Sequence, residues 1–164
     1  MLVLVGGLPG SGKTYFSKAL AHHSSACHIN SDVVRKDLQL MEKYDLNTKK
    51  KVYEEMLSRT KKHLLIHPLV IVDSTFYLEK IRNLYLDLAH SLSLPIKIIE
   101  IKAAPETIKK RISHQRPDSE ADFEVYLKLR EQFEPYIQPH LTLWSDQLST
   151  ENMIKEAMAY IQSI

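Results

Sequence analysis

The sequence is poor in cysteine, in glycine and in long apolar runs. A single cysteine, Cys27, excludes an internal disulfide and cannot supply a cysteine-rich metal site, which fits a reducing compartment. No apolar run approaches the roughly 20 residues that span a bilayer. The start of the chain also lacks the charged beginning and the small-residue cleavage site of a signal peptide. We therefore expect a cytoplasmic protein with no membrane partner.

The charge of the chain is nearly balanced. Its 22 Lys and Arg residues against 20 Asp and Glu residues give a net charge of +2, too little to indicate a protein that coats duplex nucleic acid. A local basic groove is permitted but not implied. At 164 residues the chain fits one domain, spanning 1–164, that buries roughly 70% of its unfolded surface.

Short apolar, β-rich runs alternate with longer stretches of helical period, which is typical of βαβ units around a parallel sheet. The predicted strands are Leu2 to Val5, Cys27 to Asn30, Leu69 to Val72, Ile96 to Ile101 and His140 to Trp144. A helix is predicted from Thr14 to His22, Pro105 opens another, and Thr150 is the predicted cap of the last. The pattern predicts an α/β fold with helices on both faces of the sheet.

Two helical stretches between the strands carry apolar stripes that we interpret as core. The first stripe consists of Val52, Tyr53, Met56, Leu57, Leu64 and Leu65. The second consists of Ile81, Leu84, Tyr85, Leu88 and Leu92.

The first strand is followed by a phosphate-binding motif. The segment Gly7-Leu8-Pro9-Gly10-Ser11-Gly12-Lys13-Thr14 matches G-x-x-x-x-G-K-[ST] and precedes a predicted helix. Glycines let consecutive backbone N–H groups converge on phosphates, and the amino end of the helix adds positive potential. We expect the segment to bind a nucleoside triphosphate, with Lys13 at the β- and γ-phosphates and Thr14 on Mg²⁺. The alternative is a glycine turn with an exposed lysine.

All four glycines lie within the first twelve residues, so later motifs that need glycine are excluded. A regulatory GTPase would need an Asp-x-x-Gly switch, and a transporter ATPase would need its glycine-rich signature. Small kinases remain, together with ATPase modules that have no acceptor.

Phosphoryl transfer also needs a carboxylate that receives the acceptor's proton. Asp32 follows the second strand, and ligands bind at the carboxyl ends of strands in open α/β sheets. Arg35 lies one helical turn further on, where it could orient or neutralise the acceptor. The alternative is that Asp32 only caps a helix.

A second carboxylate ends the third strand. Asp73 follows the apolar run Leu69 to Val72, the form of a Walker B element that assists Mg²⁺ directly or through water. Strand-end aspartates are also common in turns, which is the competing interpretation.

We interpret the polar segment at about residues 114–121 as a lid. Arg111 lies on the helix that leads to this segment, and Arg116 lies within it. A helix is predicted to start there with the capping box at 119–122. Guanidinium groups suit the spread charge of a transferring phosphoryl group. The alternative is a basic helix end exposed to solvent.

Taken in order, these motifs resemble a predicted P-loop kinase family, an AAA-type ATP-binding group related to polynucleotide 5′-hydroxyl kinases, zeta toxins and chloramphenicol phosphotransferase. The resemblance runs from about Leu2 to Pro135. It implies a five-stranded parallel sheet in the order 2-3-1-4-5, ATP as the phosphoryl donor, and a lid over the phosphates. ATP and the Mg²⁺ expected at Thr14 are therefore the predicted cofactors. The resemblance also implies that Asp32 is the general base, Arg35 the acceptor-side arginine, and Arg111 and Arg116 the lid arginines.

One position departs from the polynucleotide kinase pattern, because Phe76 stands where those enzymes commonly carry Asn. The departure weakens the inference that the acceptor is a nucleic acid, as it is in those enzymes. The residues assigned to phosphoryl transfer are unaffected. The leading hypothesis is an ATP-dependent kinase whose hydroxyl acceptor is a small molecule or a nucleic-acid 5′ end. The alternatives are an ATP-binding accessory module that regulates a partner and a toxin-like sugar-nucleotide kinase.

Overall fold

Strands and helices alternate along the chain, as the sequence predicts. The computed structural model describes residues 1–41, 45–113 and 123–163. The strands are β1 (Leu2–Gly6), β2 (Cys27–Asn30), β3 (Val70–Asp73), β4 (Ile96–Lys102) and β5 (Leu141–Trp144). The helices are α1 (Lys13–Ser24), α2 (Ser31–Asp37), α3 (Leu46–Leu64), α4 (Glu79–Ser91), α5 (Pro105–Ile112), α6 (Phe123–Glu131) and α7 (Thr150–Gln162).

The five strands form one parallel sheet in the order β2-β3-β1-β4-β5, which confirms the expected order. Since all strands run the same way, their carboxyl ends lie at one edge. β1 is central, and Val5 near its end pairs in register with Asp73 of β3. Asn30 at the end of β2 pairs with the other side of Asp73. The sheet therefore brings the phosphate motif after β1 and the ends of β2 and β3 to neighbouring positions.

Both faces of β1 are buried, because helices cover the sheet on both sides. Leu2 and Leu4 pack in a cluster that includes Met56 of α3 and Tyr85 of α4. Residues of β1 on the opposite face pack with α1 and α7, in a cluster containing Val3, Val5, Leu20, Ala157 and Ile161. A strand buried on both sides reads as a continuous apolar run, which explains why it was recognisable in the sequence.

Some boundaries and core positions differ from the predictions. β3 lies one residue later than predicted, so Asp73 is its last residue. Leu65 and Leu84 were wrongly assigned to the core: they are 71% and 42% exposed, Leu65 because it stands just past the end of α3. The cap of α7 is Ser149 rather than Thr150, since the Ser149 side chain accepts from the N–H of Asn152.

The predicted lid and its capping box, at residues 114–122, lie outside the described residues, as does Arg116. Over the described part of the chain, no helix combines the length and the apolar character needed to cross a membrane.

Candidate active site

The phosphate motif forms the connection from β1 to α1. Its glycines are required by geometry: a Cβ on Gly7 would lie 2.4 Å from the backbone oxygen of Ile101, and Gly12 has a φ of 91°. Gly12 is the N-cap of α1, and this helix has neither a side-chain cap nor an acidic residue in its first turn. The amino end of α1 therefore offers its N–H groups and positive potential to an anion. Lys13 is the first residue of that helix.

Three polar side chains meet beside this helix start. Asn30 Nδ2 donates to Asp73 Oδ2 over 2.7 Å and contacts Thr14 Oγ1 at 3.3 Å. Thr14 and Asp73, predicted from separate motifs as ligands of one Mg²⁺, are thus joined through a single amide. Asn30 was missed as a site residue.

The surroundings of Asp73 fit a cation. The residue is fully buried, and its Oδ1 has no hydrogen-bond partner within the described part of the chain. Its Oδ2 also lies 3.4 Å from Nε2 of His28, a second residue that the sequence analysis did not single out. A buried carboxylate oxygen without a donor is costly unless a ligand satisfies it. Together with the Thr14 hydroxyl it forms the hard oxygen set that Mg²⁺ prefers.

Asn30 also sets the position of the helix that carries Asp32. Its Oδ1 accepts from the N–H groups of Asp32 and Val33, at 2.9 and 3.0 Å, so Asn30 is the N-cap of α2. The alternative that Asp32 serves only as the helix cap is therefore wrong. Asp32 lies in the first turn, half-buried, where its carboxylate is favoured by the helix dipole.

Arg35 follows on the same helix and is 8% exposed. Its charge and that of Asp32 both act on the hydroxyl of Tyr53, which shares a 3.4 Å hydrogen bond with Ser74. Burial raises the pKa of Tyr53, Asp32 adds to that rise, and the Ser74 contact and Arg35 oppose it. The hydroxyl of Tyr53 therefore lies beside Ser74, the residue that follows Asp73, within the electrostatic influence of Asp32 and Arg35.

Two lysines add positive charge to this side. Lys49 is half-buried over the ring of Tyr77, with its Nζ 5.7 Å from the ring centroid. Burial lowers the pKa of Lys49, and the charges of Lys128 and Arg35 lower it further. The run Lys49, Lys50 and Lys51 predicts a solvated helix face, with contact to a polyanionic substrate as the alternative. Lys50 and Lys51 are exposed as predicted, whereas Lys49 is half-buried.

Arg111 contacts the phosphate loop itself. Its Nη1 donates to the carbonyl oxygens of Gly10 and Ser11, at 3.2 and 3.3 Å, and to Oγ of Ser145 at 2.8 Å. Ser145 in turn donates to the Ser11 carbonyl over 2.5 Å. The structure thus brings Arg111 to the loop, and Ser145, just after β5, is a further contact that was missed.

Phe76 belongs to the core. Its side chain is 1% exposed and packs edge-to-face on Tyr85 at 5.3 Å, while its backbone has a φ of 49°. The buried Arg82 donates to the Phe76 carbonyl over 2.8 Å. The residue that departs from the polynucleotide kinase pattern therefore shapes the turn after β3 through packing, with little surface left for an acceptor.

Solved structures with the same fold cover nearly the whole chain. The Mycobacterium tuberculosis APS kinase CysC, in complex with AMPPNP and APS, has a TM-score of 0.74 at 17% identity, over 99% of this chain and 97% of that one. Chaetomium thermophilum Kti12, in complex with ADP-AlF3, has a TM-score of 0.74 at 19% identity, over 99% and 100%. A sugar kinase from Janibacter sp. HTCC2649 has a TM-score of 0.73 at 15% identity, over 98% and 93%.

The family comparison is consistent with this fold. A family described as an AAA domain matches residues 2–136, a range that includes the phosphate loop, Asp32, Asp73 and Arg111. The chain therefore belongs to this AAA domain family and has the fold of the P-loop kinases.

Proposed function

We propose that the chain is an ATP-dependent kinase that transfers the γ-phosphoryl group of ATP to a hydroxyl group. The observation that carries this proposal is the placement of Asn30. Its amide nitrogen contacts Thr14 and Asp73, and its amide oxygen caps the helix that carries Asp32. A single side chain thereby fixes the spacing between residues suited to Mg²⁺ and nucleotide and a residue suited to the acceptor.

On the nucleotide side, backbone N–H groups of the loop and of the first turn of α1 hold the phosphates. The Lys13 ammonium stabilises the negative charge that develops on the phosphates during transfer. Thr14 and Asp73 are the residues that would hold Mg²⁺, and the unpartnered Oδ1 of Asp73 supports this assignment. When bound, Mg²⁺ would neutralise charge on the β- and γ-phosphates.

On the acceptor side, Asp32 takes the proton of the hydroxyl as the hydroxyl oxygen forms its bond to the γ-phosphorus. The bond from that phosphorus to the bridging oxygen breaks, and the electron pair leaves with ADP. Arg111 stabilises the charge on the transferring group, and Arg116 is proposed for the same role.

The charges around Asp32 favour an acceptor that carries an anionic group. Arg35 is buried, Lys49 is half-buried and Lys128 is exposed, and the positive charges of Arg35 and Lys128 act on Lys49. A locally positive potential attracts an anionic group. A nucleic-acid 5′ end, a nucleotide or a sugar nucleotide would meet this requirement, and an uncharged alcohol would not. The APS kinase with the same fold was solved in complex with AMPPNP and APS, which supports an anionic acceptor by analogy.

The acceptor can be found by measuring transfer of labelled phosphate from ATP with Mg²⁺ to a panel of matched hydroxyl compounds. The panel pairs oligonucleotide 5′-hydroxyl ends, nucleotides and sugar nucleotides with their uncharged nucleoside or sugar counterparts. We expect transfer to an anionic member and little to its uncharged partner. Tight ATP binding with no acceptor, together with a protein partner that alters this binding, would instead support the accessory module.

Lys13→Ala tests whether the phosphate transfer measured in this assay comes from this protein or from a contaminating kinase. It should weaken ATP binding in isothermal titration and abolish transfer, because the cation at the phosphates is removed. Lys18→Ala is the matched control, since Lys18 is exposed further along α1. Unchanged affinity and turnover in Lys13→Ala would contradict the phosphate-loop assignment.

A further inference from the structure

Away from the phosphate loop, the structure brings Cys27, His63 and His67 together. One potential metal-ligating atom of each residue lies within 4.8 Å of the other two. Cys27 is the first residue of β2, whereas Asn30, at the active-site edge, is the last. Three residue steps along a strand span about 10 Å, so the cluster lies toward the opposite edge of the sheet.

The backbone fixes the three positions. His63 is in the last turn of α3, and the N–H of His67 bonds to the His63 carbonyl over 2.8 Å, which continues the helical i, i+4 spacing past the helix end. The two imidazole rings are 5.3 Å apart and tilted by 32°. The N–H of Cys27 bonds to the Leu69 carbonyl over 3.1 Å, which brings β2 beside the segment that follows His67.

The side chains are suited to a ligand. All three are partly buried, and Nδ1 of His63 is buried without a hydrogen-bond partner in the described part of the chain. In a tetrahedral zinc site, bond lengths of about 2.0–2.1 Å to nitrogen and about 2.3 Å to sulfur put donor atoms about 3.3–3.6 Å apart. The donor atoms now lie within 4.8 Å of one another. Shifts of about an ångström, made by rotating the side chains, would bring them to the separation of a zinc site.

We propose that Cys27, His63 and His67 bind Zn²⁺, with the fourth position open to water. A thiol and two imidazoles form a sulfur and nitrogen donor set that suits zinc and disfavours Mg²⁺, which prefers oxygen. The thiol gives up its proton to solvent on binding, and the thiolate offsets part of the metal's charge. The bound ion links the carboxyl end of α3 to the start of β2. This site is independent of phosphoryl transfer and of the proposed kinase activity.

Cobalt(II) tests the site directly, because a thiolate ligand gives Co²⁺ a sulfur-to-metal charge-transfer band in the near ultraviolet. Metal-free, reduced, nucleotide-free protein is titrated with Co²⁺ and then with Zn²⁺. We expect one Co²⁺ per chain, a thiolate band, and loss of this band as Zn²⁺ displaces the cobalt. Co²⁺ at Thr14 and Asp73 would give no such band, so the two sites are distinguished.

Three variants identify the ligands. Cys27→Ser should abolish the thiolate band. His63→Gln and His67→Gln should each lower zinc affinity at least about tenfold, because losing a group that merely orients a ligand already costs about that much. The control is His23→Gln, which changes an exposed histidine on α1 and should bind zinc as wild type does.

Circular dichroism checks that each variant is folded. If one ligand variant fails to fold, the band in wild type and the other variants still decide the question. A saturated wild-type protein without a thiolate band, or equal affinity in all folded variants, would overturn the proposal.

Discussion

At the scale of single residues, Arg111 has the most informative contacts in the candidate site. Its guanidinium donates to two carbonyl oxygens of the phosphate loop and to Ser145. Arg111→Ala should lower turnover about 10²-fold or more, the magnitude seen when a donor to a developing charge is removed. Steady-state kinetics on the identified acceptor measure this effect.

Lys109→Ala is the matched control, because Lys109 is exposed on the same helix, α5. It should leave turnover nearly unchanged. Equal, mild losses in the two variants would mean that this helix end is only a basic surface. A drop in melting temperature without a change in turnover at saturating ATP would mean that Arg111 only holds the loop in place.

Residues that follow strongly local rules could be predicted from the sequence. Lys13 and Thr14 belong to a contiguous motif and Asp73 follows an apolar run, so the sequence predicted their positions at the start of α1 and the end of β3. Their roles at the nucleotide and Mg²⁺ stay predictions. Asn30 and Ser145 were not predicted because their roles depend on partners far away in the sequence. Asn30 bonds to a residue 43 positions away, and Ser145 to one 134 positions away.

At the scale of elements, the turn from β3 to α4 depends on a buried arginine. Arg82 is fully buried and donates to the carbonyl oxygens of Phe76 and Pro135, at 2.8 and 3.0 Å. Its guanidinium also lies 4.5 Å from the ring centroid of Tyr136. Helical periodicity placed Leu84 in the core and gave no reason to expect Arg82 there. A charged side chain is buried only where specific acceptors compensate it, and periodicity does not identify those acceptors.

Arg82→Met keeps much of the side-chain volume but leaves the Phe76 and Pro135 carbonyls without their donor. We expect it to lower the free energy of unfolding by about 3 kcal/mol, since each unsatisfied buried group costs about 1–3 kcal/mol. Urea denaturation measures the loss, and Lys80→Met, an exposed change on the same helix, is the control. A loss below about 1 kcal/mol would show that water replaces the guanidinium at these carbonyls.

At the scale of the whole molecule, the strand order brings the separate motifs together. Apolar runs in the sequence predicted five strands and a parallel sheet, but the order 2-3-1-4-5 came from family resemblance, because periodicity carries no information about which strands are neighbours. The order matters, since β3 lies between β1 and β2 and places Asp73 between the phosphate loop and Asp32. Residues that would hold nucleotide and acceptor therefore share one edge of the sheet.

Asp32→Asn is the most direct measurement of the proposed kinase function. Because Asn30 caps α2, the substitution removes the carboxylate base without removing the cap. ATP affinity by isothermal titration and the melting temperature should stay close to wild type, while transfer to the identified acceptor should fall about 10²-fold or more. Undiminished transfer in a folded Asp32→Asn variant that binds ATP normally would contradict the role of Asp32 and the mechanism built on it.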